Sequence, residues 1–327
     1  MDLVTGSTGF IGNVLIRQLL KRSRKVRAFL RSSSDISILG DLDIEKVTGN
    51  ILDTGSMVKT FKGVDTVYHL AAMITILSGE NRLLREINLE GTRNVLKACL
   101  KAGVGKLVYT SSIHALKEPP EGITINENMP YDPENLRGEY DRSKAQASIE
   151  VMEAGKRDIH TVILCPTGTL GPYDWRLSPI TNTFLNFYNG KMNMGINGAF
   201  DFVDVRDVAE GHIMAAEKAE TGENFILSGE RVTMKRMFGI LEEITSVKGP
   251  SIYVPTLLAK AYCFFTPLYY RMSKKTPTFT NYSINTLQGN SFVSHRKASK
   301  KLGYKARSVK ESIGDTFKWF REFGFIK

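Results

Sequence analysis

Val4-Thr5-Gly6-Ser7-Thr8-Gly9-Phe10-Ile11-Gly12 is the stretch on which the rest of the chain turns: an apolar run stops at a glycine-rich turn, and an apolar-periodic segment follows. The pattern reads as a strand, a phosphate loop and a helix. Gly6 permits the tight turn, Gly9 lets the backbone approach a pyrophosphate, and Gly12 lets the helix lie close to the sheet. Unpaired N–H groups and the dipole at the helix start would hold the anion. A three-glycine loop alone is also what an ordinary strand-to-helix turn looks like. Context decides here, because the helix that follows carries an apolar face of Phe10, Ile11, Val14, Leu15 and Leu19. Thr5, Gly6, Thr8, Gly9, Phe10, Ile11 and Gly12 are therefore the expected nucleotide contacts.

The strand–helix alternation continues outward. Residues 25–31 read as a second buried strand closed by Ser32-Ser33-Ser34-Asp35, 44–48 as a third, 66–72 as a fourth and 106–110 as a fifth. A brief helix at 56–61 and a long one at 80–102 lie between them. Right-handed crossovers then make an α/β fold, a Rossmann doubly wound parallel sheet that binds ligands at the carboxyl ends of its strands. Ile51, Leu52, Asp53, Leu70, Ala71, Ala72 and Thr110 fall at such ends and are expected beside the cofactor. His69 lies within its strand and reads as a packed core histidine.

The end of the second strand bears on which dinucleotide is bound. An NAD site usually places an acidic side chain about 20 residues beyond the glycines, to accept from the ribose 2′-OH. Here Arg31 is followed by Ser32, and no acidic residue lies between Asp2 and Asp35. A guanidinium binds a 2′-phosphate bidentately, so NADP(H) is favoured and NAD(H) is the alternative.

With 327 residues, 42% of them hydrophobic, the chain can bury a large core, in one long domain or two unequal lobes. Cys99, Cys165 and Cys263 are far apart and match no metal or redox spacing, so free thiols and no metal site are expected. The first strand begins almost at Met1, which leads to the expectation of a cytoplasmic protein without a signal or transit segment. The net charge of +10 is dispersed, with a modest concentration at 297–310 and no nucleic-acid module, so no nucleic-acid partner is expected.

Residues 119–137 are rich in Pro, Glu, Asn and Gly and read as a loop, after which a helix opens near Gly138. Tyr140 and Lys144 are four apart on that helix and share a face. A phenol donates a proton poorly at neutral pH unless a nearby cation stabilises its phenolate, and a serine across the cleft can hold the substrate oxygen. The pattern recurs at Tyr270-Arg271-Met272-Ser273-Lys274, as chance allows in a chain with 12 tyrosines. Position favours Tyr140, which follows the Ser111-Ser112 pair at a strand end; Tyr270 has no such partner.

Taken together, the glycine loop, His69-Leu70-Ala71-Ala72, Asn88-Leu89-Glu90-Gly91-Thr92, Tyr109-Thr110-Ser111-Ser112 and Tyr140-Asp141-Arg142-Ser143-Lys144 resemble the extended short-chain dehydrogenase/reductase family. The likeness runs on through Cys165-Pro166-Thr167-Gly168, Phe202-Val203-Asp204-Val205-Arg206-Asp207-Val208-Ala209 and a terminal Ala298-Ser299-Lys300-Lys301-Leu302-Gly303-Tyr304. It implies Tyr140 as general acid/base, Lys144 as the ribose ligand that lowers the tyrosine pKa, and Ser112, rather than Ser111, as the hydroxyl on the substrate carbonyl. It also implies Asn88 as a support of the site and Pro166 and Thr167 beside the nicotinamide. Within the family the chain looks most like the dihydroflavonol reductase-like group. Ser112 is followed by Ile113-His114, without the acidic pair of sugar-nucleotide dehydratases. Gly198-Ala199-Phe200-Asp201 lacks the arginine common in epimerases, although Arg176 and Arg206 could serve a diphosphate.

The resemblance further implies a cofactor domain over 1–170, with 200–228 returning to it, and a substrate lobe made mainly of 171–327. Helices are expected at 180–188 and 208–219, strands at 202–205 and 224–227, and an amphipathic docking helix around Phe317-Lys318-Trp319-Phe320. Tyr173 and Trp175 suggest a substrate wall, or else packing of the lobe junction. The apolar segment 251–272 invites a membrane reading, but Lys260, Pro255 and Pro267 rule out a span and leave peripheral contact as an alternative to packing. The expected activity is NADPH-dependent reduction of a ketone or aldehyde in a bulky apolar molecule, by a monomer or homodimer. The alternatives are an NAD-dependent nucleotide-sugar epimerase and a nucleotide-sensing protein without chemistry.

Overall fold

β1 (Asp2–Thr5) is buried along its whole length because its side chains alternate between two covered faces, with Leu3 in one core and Val4 in the other. The structure, a computed structural model, describes residues 1–40, 42–75, 81–255, 258 and 281–327. β1 is joined by β2 (Val26–Leu30), β3 (Glu45–Thr48), β4 (Thr66–His69), β5 (Lys106–Thr110), β6 (His160–Pro166) and β10 (Glu223–Leu227). They form a seven-stranded parallel sheet in the order β3-β2-β1-β4-β5-β6-β10. The chain builds outward from β1 and then restarts at β4 on its other side, so the switch point lies where Thr5 neighbours His69.

Helices cover both faces. On one, α1 (Phe10–Lys21), α7 (Val205–Lys218) and α10 (Arg296–Leu302) bury Val14, Leu15, Leu19, Val208, Ile213 and Leu302. On the other, α2 (Thr54–Thr60), α4 (Gly91–Ala102) and α5 (Glu139–Gly155) bury Met57, Val95, Cys99, Ala145 and Val151. A second core gathers β7 (Gly168–Leu170), β9 (Ala199–Asp204) and β11 (Glu230–Thr233) into one sheet and β8 (Met194–Ile196) with β12 (Ile252–Val254) into another. Over them α6 (Pro179–Tyr188), α8 (Met234–Thr245) and α11 (Val309–Glu322) pack Phe184, Phe187, Phe238, Phe317 and Phe320. α9 (Asn281–Gln288) lies against β9.

Several sequence expectations are refined. The fourth strand stops at His69, because the N–H groups of Leu70 and Ala71 turn to the Thr5 hydroxyl, each at 3.2 Å, instead of a strand ladder. The long helix is interrupted: α3 (Arg82–Arg85) passes through a π-helical turn, Glu86–Glu90, before α4. Such turns recur at functional sites, and this one carries Asn88. The strand expected at 202–205 is β9, whose neighbours are β7 and β11; the return to the main sheet begins with α7 and ends with β10. α10 also packs on the main sheet through Ala298 and Leu302, although it lies late in the chain.

Tyr270, Lys274 and Cys263, and most of the apolar segment 251–272, lie outside the described residues. Among the described residues no helix is long and apolar enough to cross a membrane.

Candidate active site

The glycine loop closes on itself. Gly9 N donates to Gly6 O at 2.8 Å, Gly6 has φ of +69°, and a Cβ at Gly12 would stand 2.2 Å from Gly6 O. α1 opens with no side-chain cap and no acidic residue in its first turn, so its leading amides face the crevice unneutralised. A Cβ at Gly6 would meet Leu70 and Ala71 backbone at 2.8 Å, which makes these segments the two walls of one narrow cradle. The cradle and its open amides fit the phosphates of a dinucleotide.

Thr5 serves as a strut. Thr92 Oγ1 donates to Asn88 O at 2.6 Å, so it must accept from His69 Nε2–H at 3.1 Å. His69 Nδ1 therefore accepts from Thr5 Oγ1 at 2.8 Å, and the Thr5 oxygen is left to accept from Leu70 and Ala71. Burial pushes the His69 pKa down to about 3, which keeps this relay neutral.

Ser112 and Tyr140 face each other across the crevice, close enough that the serine side chain pulls the tyrosine pKa down against the larger effect of burial. Ser112 Oγ accepts from His114 N at 3.2 Å. Ser111 is instead committed to Ser148 Oγ at 2.6 Å and is buried. Lys144 is 3% exposed; its ammonium donates to Thr110 O at 2.6 Å and to Tyr109 Oη at 3.3 Å. Burial raises the Tyr140 pKa and lowers that of Lys144 to about 7. Asn88 ties the site together: its Oδ1 accepts from Met73 N at 2.7 Å, and its Nδ2 donates to Met73 O and Ser143 Oγ at 3.0 Å each.

Other expected contacts divide. Thr110 turns its hydroxyl to His212 Nε2 at 2.7 Å and offers only its carbonyl inward. Asp53 caps α2 by accepting from Gly55 N and Ser56 N, Ile51 packs into the core, and Leu52 N donates to Asn50 Oδ1. Arg31 is exposed at the end of β2. Pro166 ends β6, while Thr167 donates to Asp201 Oδ1 at 2.6 Å. Phe10 and Ile11 lean on the core, and Ala72 lies just past the strut.

Trp175 packs edge-on against Trp319 at 5.1 Å and Phe323 at 4.8 Å, and Tyr173 lies 6.3 Å from Trp319. The Trp175 and Tyr173 rings thus join the aromatic cluster around Trp319 of α11. Arg206 is consumed by ion pairs to Asp204 at 2.7 Å and Asp315 at 2.8 Å.

Sequence reasoning missed the other wall of the crevice. His114 stacks on Phe200 at 5.7 Å and accepts from Arg137 Nη1 at 3.1 Å, while Arg137 pairs with Glu118. Tyr282 of α9 donates to Asp141 Oδ1 at 2.9 Å, beside Tyr140. A cleft lined by Ile113, His114, Arg137, Thr167, Phe200 and Asp201 runs from here. Only the closeness of His114 to Ser112, and of Arg137 and Asp141 to Tyr140, could have signalled them.

A doubly wound sheet with this cradle and a serine–tyrosine–lysine set defines an NAD(P)-dependent enzyme acting on alcohol and carbonyl groups. The chain belongs to the 3-beta hydroxysteroid dehydrogenase/isomerase family, which it matches over residues 3–231. It is 34% identical over 326 residues to sterol demethylase protein B of Methylococcus capsulatus, covering 99% of each chain. To the "Putative dihydroflavonol 4-reductase" of Synechocystis sp. it is 30% identical over 328 residues, covering 99% of this chain and 95% of the other. The crystal structure of gox2253 is similar throughout, with a TM-score of 0.88 and 31% identity over 100% of this chain and 99% of that one.

Proposed function

We propose that this protein is an NADP(H)-dependent reductase, reversible as a dehydrogenase, that acts on a ketone or aldehyde of a bulky, largely apolar molecule. The reading rests above all on the Ser112–Tyr140 hydroxyl pair with Lys144 on the same helix face. When bound, the nicotinamide supplies or takes the hydride. Ser112 would hold the substrate oxygen, and Tyr140 Oη would pass it a proton. Lys144, held by Thr110 O, would bind the cofactor ribose and oppose the rise that burial imposes on Tyr140.

Arg31, exposed where an acidic residue would select NAD, supports NADP(H). The sterol and dihydroflavonol in the relatives' names are bulky ring systems, and they support the substrate class. The ion pairs that consume Arg206 weigh against a sugar diphosphate at that position. In this reading 1–170 and the returning 200–228 hold the cofactor, and 171–327 mainly shape the substrate site.

The test is a screen of NADPH and NADH oxidation against steroid, flavonoid, aryl-aldehyde and sugar-nucleotide carbonyls, with Tyr140→Phe in parallel. NADPH turnover on an apolar carbonyl, falling at least ~1000-fold in the variant while NADPH binding persists, is the expected result. Full activity in Tyr140→Phe, or turnover of sugar nucleotides alone, overturns it.

A further inference from the structure

Residues 171–178 link β7 to α6 in an uncommon conformation. Tyr173 and Leu177 adopt φ of +73° and +50°, which side-chain-bearing residues take only when their surroundings enforce it. The enforcing contacts come from two sides. From α1, Asn13 Nδ2 donates to Tyr173 O at 3.2 Å, and the Arg17 guanidinium lies 5.1 Å from the Tyr173 ring centre. From α6 and the loop before it, Ser178 N and Thr181 Oγ1 donate to the buried Asp174 carboxylate at 2.8 and 2.6 Å.

The strained loop delivers one side chain to the glycine cradle: Arg176 Nη2 donates to Thr8 Oγ1 at 2.9 Å. Its partner there is a neutral hydroxyl, and no ion pair neutralises Arg176 among the described residues. The guanidinium is also close enough to Asp35, in the turn after β2, to help hold that carboxyl below its usual range, behind the larger effect of Ser37. A cation thus stands against the positive end of α1, whose first turn contains no acidic residue. Cation and helix end repel each other, and an anion between them turns both into partners.

We propose that Arg176, brought across from the second core, binds a phosphate of the nicotinamide dinucleotide at the Thr8 side of the cradle. The inference rests on the cofactor reading above and deepens it, because the same loop then joins the parts of the chain that hold cofactor and substrate. The phosphate is either the 2′-phosphate, shared with Arg31, or the diphosphate, and the two cofactors separate these.

The test titrates NADPH and NADH into the wild type, Arg176→Gln and Arg176→Lys by nicotinamide fluorescence, with thermal unfolding alongside. Arg176→Gln is expected to weaken NADPH at least about tenfold with little change in melting temperature, and Arg176→Lys to recover part of the loss. A loss confined to NADPH assigns the 2′-phosphate, and an equal loss for NADH assigns the diphosphate. NADPH affinity within twofold of wild type in Arg176→Gln overturns the proposal. A wild type that prefers NADH overturns the NADP(H) reading instead, and Arg176 is then judged by the same tenfold criterion on NADH.

Discussion

Thr5 shows how much one hydroxyl can hold. It donates to His69 in the buried core and receives two backbone N–H groups at the part-buried start of the Leu70–Ala71 wall. Thr5→Val keeps the shape and removes every one of these bonds, leaving one buried and two part-buried groups unpaired. A loss of about 3 kcal/mol is expected, measurable by urea unfolding, together with weaker cofactor binding as the Leu70–Ala71 wall loosens. The two serines after β5 separate in the same way. In the proposed reaction, Ser112→Ala is expected to lower kcat by about 100-fold or more with modest change in cofactor affinity, since it would remove the donor proposed to hold the reacting oxygen. Ser111→Ala breaks only the bond to Ser148 and should appear in thermal stability, with kcat near wild type.

At the scale of elements, α1 works because nothing larger than hydrogen stands at its third residue. Gly12→Ala would drive a methyl into Gly6 O, a backbone atom that cannot swing aside. The helix start must then move off the strand, so the amides lose their aim. Calorimetric titration should show at least a tenfold loss of dinucleotide affinity, together with a lower melting temperature. The glycine loop, α1 and β1 are legible in sequence, because spacing and turn chemistry there are local. The π-helical turn before α4 is not, since it arises where Asn88 finds Met73 and Ser143, neighbours only after folding. The same holds for α9, which reaches Asp141 across 141 positions of sequence.

At the scale of the whole molecule, two carboxyl groups are held in the interior near the crevice. Burial raises Asp141 and Asp201 to about 6, against the pull of Tyr282 on the first and of Thr167 and Gly229 on the second. A raised acid pKa means that the folded state keeps a proton which the unfolded chain releases near pH 4. Stability from such a group therefore falls as pH rises from about 4 to 6 and stays lower above that. Asp201→Asn removes the titration while its amide oxygen can still accept from Thr167 and Gly229. The stability of the wild type relative to Asp201→Asn should fall by roughly 2–3 kcal/mol between pH 4 and 6.5, read from urea unfolding at each pH. A flat difference across that range would show that Asp201 is ionised throughout.

The amino-acid sequence by itself determined the doubly wound sheet, the glycine loop that opens it and the helix on which Tyr140 and Lys144 share a face, because strand–helix periodicity and motif spacing are properties of neighbours along the chain. Tertiary structure alone decided that Tyr173 and Trp175 pack on α11, that Arg206 is spent on Asp204 and Asp315, and that Arg176 comes to rest on Thr8. Each of those outcomes depends on contacts between residues far apart in the chain, and a side chain's charge or size does not say which distant partner will claim it.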